Sequence, residues 1–156
     1  MRRPDLMTAW LLAVLGNKLL SVNAIFHIFS SKRDPFPQEV SFQFYGSEAG
    51  KLYGGGDGSS LLFSLDPVVG CDLGKYGRQD VFCVSDEPYF LNVVEKKLVS
   101  ASLVQSSVAE AVIGVALSFD DGSCLSVLNL GDELFVYDEI PDEIMRSEGV
   151  DLISVN

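Results

Sequence analysis

Four pairs of adjacent acids, Asp120-Asp121, Asp132-Glu133, Asp138-Glu139 and Asp142-Glu143, come nearest to chemistry of any residues in this chain. Two carboxylates can divide general acid and base work when an apolar pocket raises the pKa of one and the other stays ionised. Adjacency does not supply that arrangement, because neighbours on a strand point to opposite faces. Asp120 and Asp121 fall in an Asp-Asp-Gly-Ser turn and Asp132 follows Gly131 in another, places where a short side chain able to bond the backbone is favoured. Neither run continues with the EF-hand spacing, so no calcium loop is expected.

Nucleophilic catalysis by Ser or Cys needs a base within hydrogen-bond reach. The one histidine, His27, lies in the apolar run Ala24-Ile25-Phe26-His27-Ile28-Phe29, and no Gly-x-Ser-x-Gly elbow accompanies any serine. Cys71, Cys83 and Cys124 contain no Cys-x-x-Cys, and His27 is too few to complete a zinc set. They read as small buried hydrophobes, and a Cys71–Cys83 disulfide would need an oxidising compartment. Gly54-Gly55-Gly56-Asp57-Gly58-Ser59-Ser60 has neither phosphate-loop spacing and reads as a turn. The expectation is a chain that is not an enzyme and uses no cofactor or metal.

The acids matter more in their sum. From Ala101 to Asn156 eleven acids stand against one base, Arg146, a net −10, whereas residues 1–100 carry eleven acids and ten bases and sum to −1. A surface that concentrates one sign of charge attracts the opposite sign and lowers the stability of the compact state by self-repulsion. A basic protein partner gives a reason to retain it. Nucleic acid and anionic membrane are disfavoured as partners, since both bind through Lys and Arg. With 47% hydrophobic residues and 156 in all, the chain is long and apolar enough for one domain with a real core.

The elements that must position these residues follow from apolar period. Residues 5–16 read as an N-terminal helix, begun by Pro4-Asp5 and stopped by Gly16-Asn17. Leu20, Val22, Ala24 and Phe26 then alternate as a strand, as do Val40, Phe42 and Phe44. Short strands follow at 61–65 and 81–84. Residues 115–119, 124–128 and 134–137, joined by Asp-Gly and Gly-Asp turns, read as a three-stranded antiparallel meander. Asn17-Lys18-Leu19-Leu20-Ser21-Val22 echoes Lys96-Lys97-Leu98-Val99-Ser100-Ala101, and Phe44 echoes Phe119. Either this is a pseudo-repeat of two β-meanders or two alternating strands look alike by chance. The fold class expected is α+β, mostly β: an N-terminal helix on antiparallel sheets, in a single domain 1–156. Within it, 17–94 form a first β half, 95–140 a second meander and 141–156 an acidic C-terminal segment.

The run Phe119-Asp120-Asp121-Gly122-Ser123-Cys124 through Leu130-Gly131-Asp132-Glu133-Leu134, with the acidic surplus and the early helix, resembles small bacterial immunity proteins. These protect a cell against polymorphic toxins of contact-dependent inhibition or type VI secretion. The likeness covers residues 6–30 and 110–140 and concerns pattern, without a diagnostic motif. It implies cytoplasmic residence and tight inhibition of one cognate toxin domain, often a nuclease with a basic cleft. Asp132, Glu133, Asp138, Glu139, Asp142 and Glu143 would occlude that cleft, with Asp120 and Asp121 next. The alternative is a small-ligand or peptide-binding β domain, with a cavity lined by Phe42, Phe44, Phe63 and Tyr89. A third reading, a secreted or periplasmic protein, depends on Arg2-Arg3 and the run from Leu6 to Leu15 acting as a signal cleaved after Ala24. Asp5 and Lys18 argue against it.

Overall fold

Asp5 opens the helix by accepting a hydrogen bond from Thr8 N at 2.7 Å. Helix α1 runs Leu6–Val14 and buries Met7, Trp10, Leu11 and Val14, the one-face spacing of a helix lying on a core. Gly16, with φ of 85°, turns the chain out of it. The computed structural model describes residues 5–156.

All remaining major elements but one are antiparallel strands. β1 (Leu19–Phe29), β2 (Lys32–Arg33), β3 (Glu39–Phe44), β4 (Gly50–Gly54), β5 (Leu61–Ser64), β6 (Cys71–Asp72) and β7 (Arg78–Cys83) build a first sheet in the order β5-β4-β3-β1-β7-β6, with β2 folded back on β1. β8 (Leu98–Ser106), β9 (Ala111–Phe119), β10 (Cys124–Leu130), β11 (Glu133–Tyr137) and β12 (Val150–Ser154) build a second, in the order β11-β10-β9-β8-β12. Helix α2 (Asp142–Ser147) connects β11 to β12. The inner faces share one apolar core, to which Val22, Phe42 and Phe44 contribute from one side and Leu117, Phe119 and Leu125 from the other.

The echo between the halves is a structural repeat with two-fold character. Lys18 forms an isolated bridge with its own counterpart Lys97. The hydrogen bonds around it come in reciprocal pairs: Leu19 N donates to Lys96 O at 2.9 Å and Leu98 N to Asn17 O at 3.0 Å, while Gly16 N donates to Leu98 O and Glu95 N to Leu19 O, both at 2.7 Å. Exchanging each residue for the one 79 positions away in the other half turns either bond of a pair into its mate. Strand order repeats too, β5-β4-β3-β1-β7 against β11-β10-β9-β8-β12. Even an irregularity recurs, for the ladder slips after Leu19 opposite Phe44 and again after Leu98 opposite Phe119.

That bulge corrects the expected alternation of β1. Leu20 is the extra residue and is exposed, while Leu19 is fully buried. The repeat also moves the boundary between halves. Residues 85–94, expected in the first half, are turns at the position of α1, with Phe90 and Val93 buried where α1 buries Leu11 and Val14. Within the acidic C-terminal segment 141–156, β12 pairs with β8 from Val150↔Ser106 to Ser154↔Ser102, as β7 pairs with β1. The expected meander is thereby three strands of a five-stranded sheet.

A second apolar cluster lies on the outer face of the second sheet, where Val104, Ile113 and Leu128 sit under Ile140 and Ile144. A slip between Val104 and Gln105 leaves Ile113 unpaired and turns it outward. Beside it only glycine fits: a Cβ on Gly114 would stand 2.3 Å from Leu128 Cδ2 and 2.5 Å from Val127 O.

Candidate partner-binding site

Helix α2 covers only part of that outer face. Over the rest, β9 and β10 present small side chains, Ala116, Ser118, Cys124 and Ser126, and leave a hollow of about 250 Å³ walled by Ile140, Met145 and Leu152. Asp138, Glu139 and Asp142 stand around it. A second hollow of about 270 Å³, lined by Asn92, Lys96 and Ser123, adjoins it at Cys124, Asp138 and Glu139. Together they make a groove with a small-residue floor and an acidic rim.

Local geometry sets the rim. Asp138 follows β11 and accepts from Glu139 N at 2.6 Å, while Ser126 Oγ donates to Asp138 O at 3.4 Å. Pro141 then opens α2, its carbonyl accepting from Ile144 N and Met145 N at 3.0 Å each. Asp142 and Glu143 occupy the first helical turn, where carboxylates are also favoured by the helix dipole. Among the described residues, Asp138, Glu139 and Asp142 enter no ion pair.

The eight expected acids therefore do not form one surface. Asp121 lies at the groove end but is paired with Lys96 and accepts from Ser123 N at 2.9 Å and Ser123 Oγ at 2.6 Å. The Lys96 hydrogen bond first, then those of Ser123, hold its carboxyl far below the usual carboxylate range. Asp120 is an exposed turn residue whose N–H donates to Lys97 O at 3.0 Å. Glu143 lies beside Tyr137, whose hydroxyl pKa is raised by burial, then by Tyr89 and Glu143. Asp132 and Glu133 are at the far end of β11, about 15–20 Å away at ~3.4 Å per residue. They face a separate hollow of about 390 Å³ with Asp34 and Gly54. Proximity keeps Asp138, Glu139 and Asp142; it separates Asp132 and Glu133.

Other sequence candidates resolve as structure. His27 Nε2 is 2.6 Å from Tyr76 O, in the turn between β6 and β7. The cysteines are free, and against expectation Cys71 and Cys83 are exposed while Cys124 floors the groove. Cys71 lies on the two-residue edge strand β6, and Cys83 ends β7 beyond the two residues that β6 covers. Phe42 and Phe44 are core, 1% and 0% exposed, so they line no cavity. Phe63 packs on Trp10 at 5.2 Å between ring centroids. No group of three or more metal-ligating side chains occurs among the described residues, and no helix there is long and apolar enough to cross a membrane.

Sequence reading missed the floor. Its signal was the alternation of small residues with large ones in β9 and β10, Ala116 and Ser118 against Leu117, Cys124 and Ser126 against Leu125, which marks one face as shallow. No family model, no curated protein and no solved structure matches the chain.

Proposed function

We propose that this chain is a binding protein whose second sheet seats a basic segment of a partner protein. The partner best suited to the resemblance is a toxin domain with a cationic cleft, and the role is that of an immunity protein that occludes it. The observation that carries the reading is the groove itself: three carboxylates that form no ion pair among the described residues, around a floor shallow enough for another chain to approach closely. A floor of Ala, Ser and Cys lets backbone come near, and desolvated acids at such a centre discriminate strongly for Lys and Arg. Asp132 and Glu133 steer approach without being buried by it.

The test is co-purification with the protein encoded beside this one, and assay of that protein's activity with and without this chain. The expected result is stoichiometric inhibition that the triple variant Asp138→Asn, Glu139→Gln, Asp142→Asn weakens about 100-fold or more, taking ~1–2 kcal/mol per desolvated pair. A triple variant with undiminished inhibition would remove the groove from the account.

A further inference from the structure

The two-fold repeat provides an internal comparison, and the halves differ along the free edge of β11. In the first half, α1 closes the equivalent edge: Trp10 packs on Phe63 and on Phe44, at 5.2 and 5.6 Å between ring centroids, and donates its indole N–H to Glu48 O at 2.9 Å. Gly50 makes room for that ring, since a Cβ there would stand 2.5 Å from it. In the second half the counterpart of Gly50 is Leu125, fully buried, and the counterpart of Trp10 is Tyr89. Leucine occupies the space an inward ring would need. Tyr89 instead takes φ of 71°, a strained conformation for a bulky residue, and is 39% exposed.

The outcome is an open cleft of about 290 Å³ between β11 and the segments 33–37 and 87–90. Aromatic rings line it, among them Tyr89, Phe36, Phe135 and Tyr137. Phe36 and Phe135 stand 4.5 Å apart between centroids, and Phe135 and Tyr137 are stacked with 10° between their planes. The cleft already holds one cation. Arg33 lies 3.9 Å above the Phe26 ring and is bound by both Glu87 oxygens, at 2.7 and 3.2 Å. That pair is internally neutral, so it leaves the surrounding −10 segment to set the field at the tyrosine end.

We propose that the tyrosine end of this cleft seats an arginine side chain of the basic partner, with its guanidinium against the Tyr89 and Tyr137 rings. Flat rings in an acidic surround favour a planar, weakly hydrated guanidinium over an ammonium. Tyr137 and Ser126 are directly paired across β11 and β10, so the cleft is adjacent to the groove floor. One basic segment reaches both. The inference rests on the basic-partner reading and adds to it a preference for arginine.

Calorimetric titration of the full chain with hexa-arginine and with hexa-lysine tests it. Wild type is expected to bind hexa-arginine about 5- to 20-fold more tightly, the range of a partly desolvated cation–π contact. Tyr89→Ser and Tyr137→Leu each reduce that preference below about twofold while leaving hexa-lysine affinity unchanged, which also shows that the fold persists. Equal affinities in wild type, or a preference that survives both substitutions, would overturn the arginine site. If the arginine preference is missing but the triple acidic variant loses both peptides, the cleft proposal alone fails. If wild type binds neither peptide, the basic-partner reading fails with it.

Discussion

Lys96 is the residue on which the electrostatics of the groove turns. Its ammonium is held by Asp121, by Asn92 O at 2.5 Å and by Ser123 Oγ at 3.2 Å, so one wall of an otherwise acidic groove carries a neutral pair. Removing that base exposes Asp121 to an incoming partner. Lys96→Gln is therefore expected to raise affinity for hexa-lysine about two- to fivefold, the scale of a half-exposed ion pair, as read by calorimetry. Asp121 and Asp57 also link the fold to pH. The Asp57 carboxyl, bonded by Ser60 Oγ and by Ser59 N and Ser60 N, has its pKa lowered to about 2. A carboxyl whose folded pKa is depressed adds stability above its unfolded pKa, ~3.9, and loses that contribution as pH falls through the folded value. Thermal midpoints measured at pH 5 and pH 2.5 should differ less in the double variant Asp57→Asn, Asp121→Asn than in wild type. An unchanged difference would mean that these turns do not drive the acid response.

At the scale of elements, the bulges and the close approach at Gly114 decide what faces where. Gly114→Ala must displace Leu128 or the Val127 carbonyl, and is expected to cost about 1–3 kcal/mol as an overpacking substitution, measured by denaturant unfolding. A cost below ~0.5 kcal/mol would mean that β9 and β10 are less closely packed than described. The same irregularities explain which elements were legible in the sequence. α1 was, because Pro4-Asp5 and Gly16-Asn17 bracket an apolar run with start and stop signals, and so was the β9-β10-β11 meander, because Asp-Gly and Gly-Asp turns separate its apolar strands. β8 and β12 were not read as strands: β8 carries two slips in its ladder to β9, and β12 is an edge strand with Leu152 and Ile153 exposed. The acids of the groove were legible by type, but their grouping was not. Sequence proximity put Asp132 with Asp138, whereas the extended run of β11 separates them.

For the whole molecule, the repeat turns one chain into two similar halves with unequal tasks. The first half, residues 1–84, carries no net charge and closes its edge with Trp10; the second, residues 85–156 with a net −11, leaves its edge and part of its outer face open. The halves depend on each other through one core, so a chain starting at Ile25 would lack α1, half of β1 and the buried Met7, Trp10, Leu11, Val14, Leu19 and Val22. Such a chain is expected not to fold, as judged by loss of cooperative thermal unfolding; a cooperative transition would show that the second half is self-sufficient. The central claim, that the groove is where a basic segment binds, is tested most directly by backbone amide NMR during titration with hexa-lysine. The account predicts that shifts concentrate at residues 116–118, 124–126 and 138–145 and are weak at 131–133. Shifts centred on 131–133, or spread evenly over all acidic residues, would contradict it.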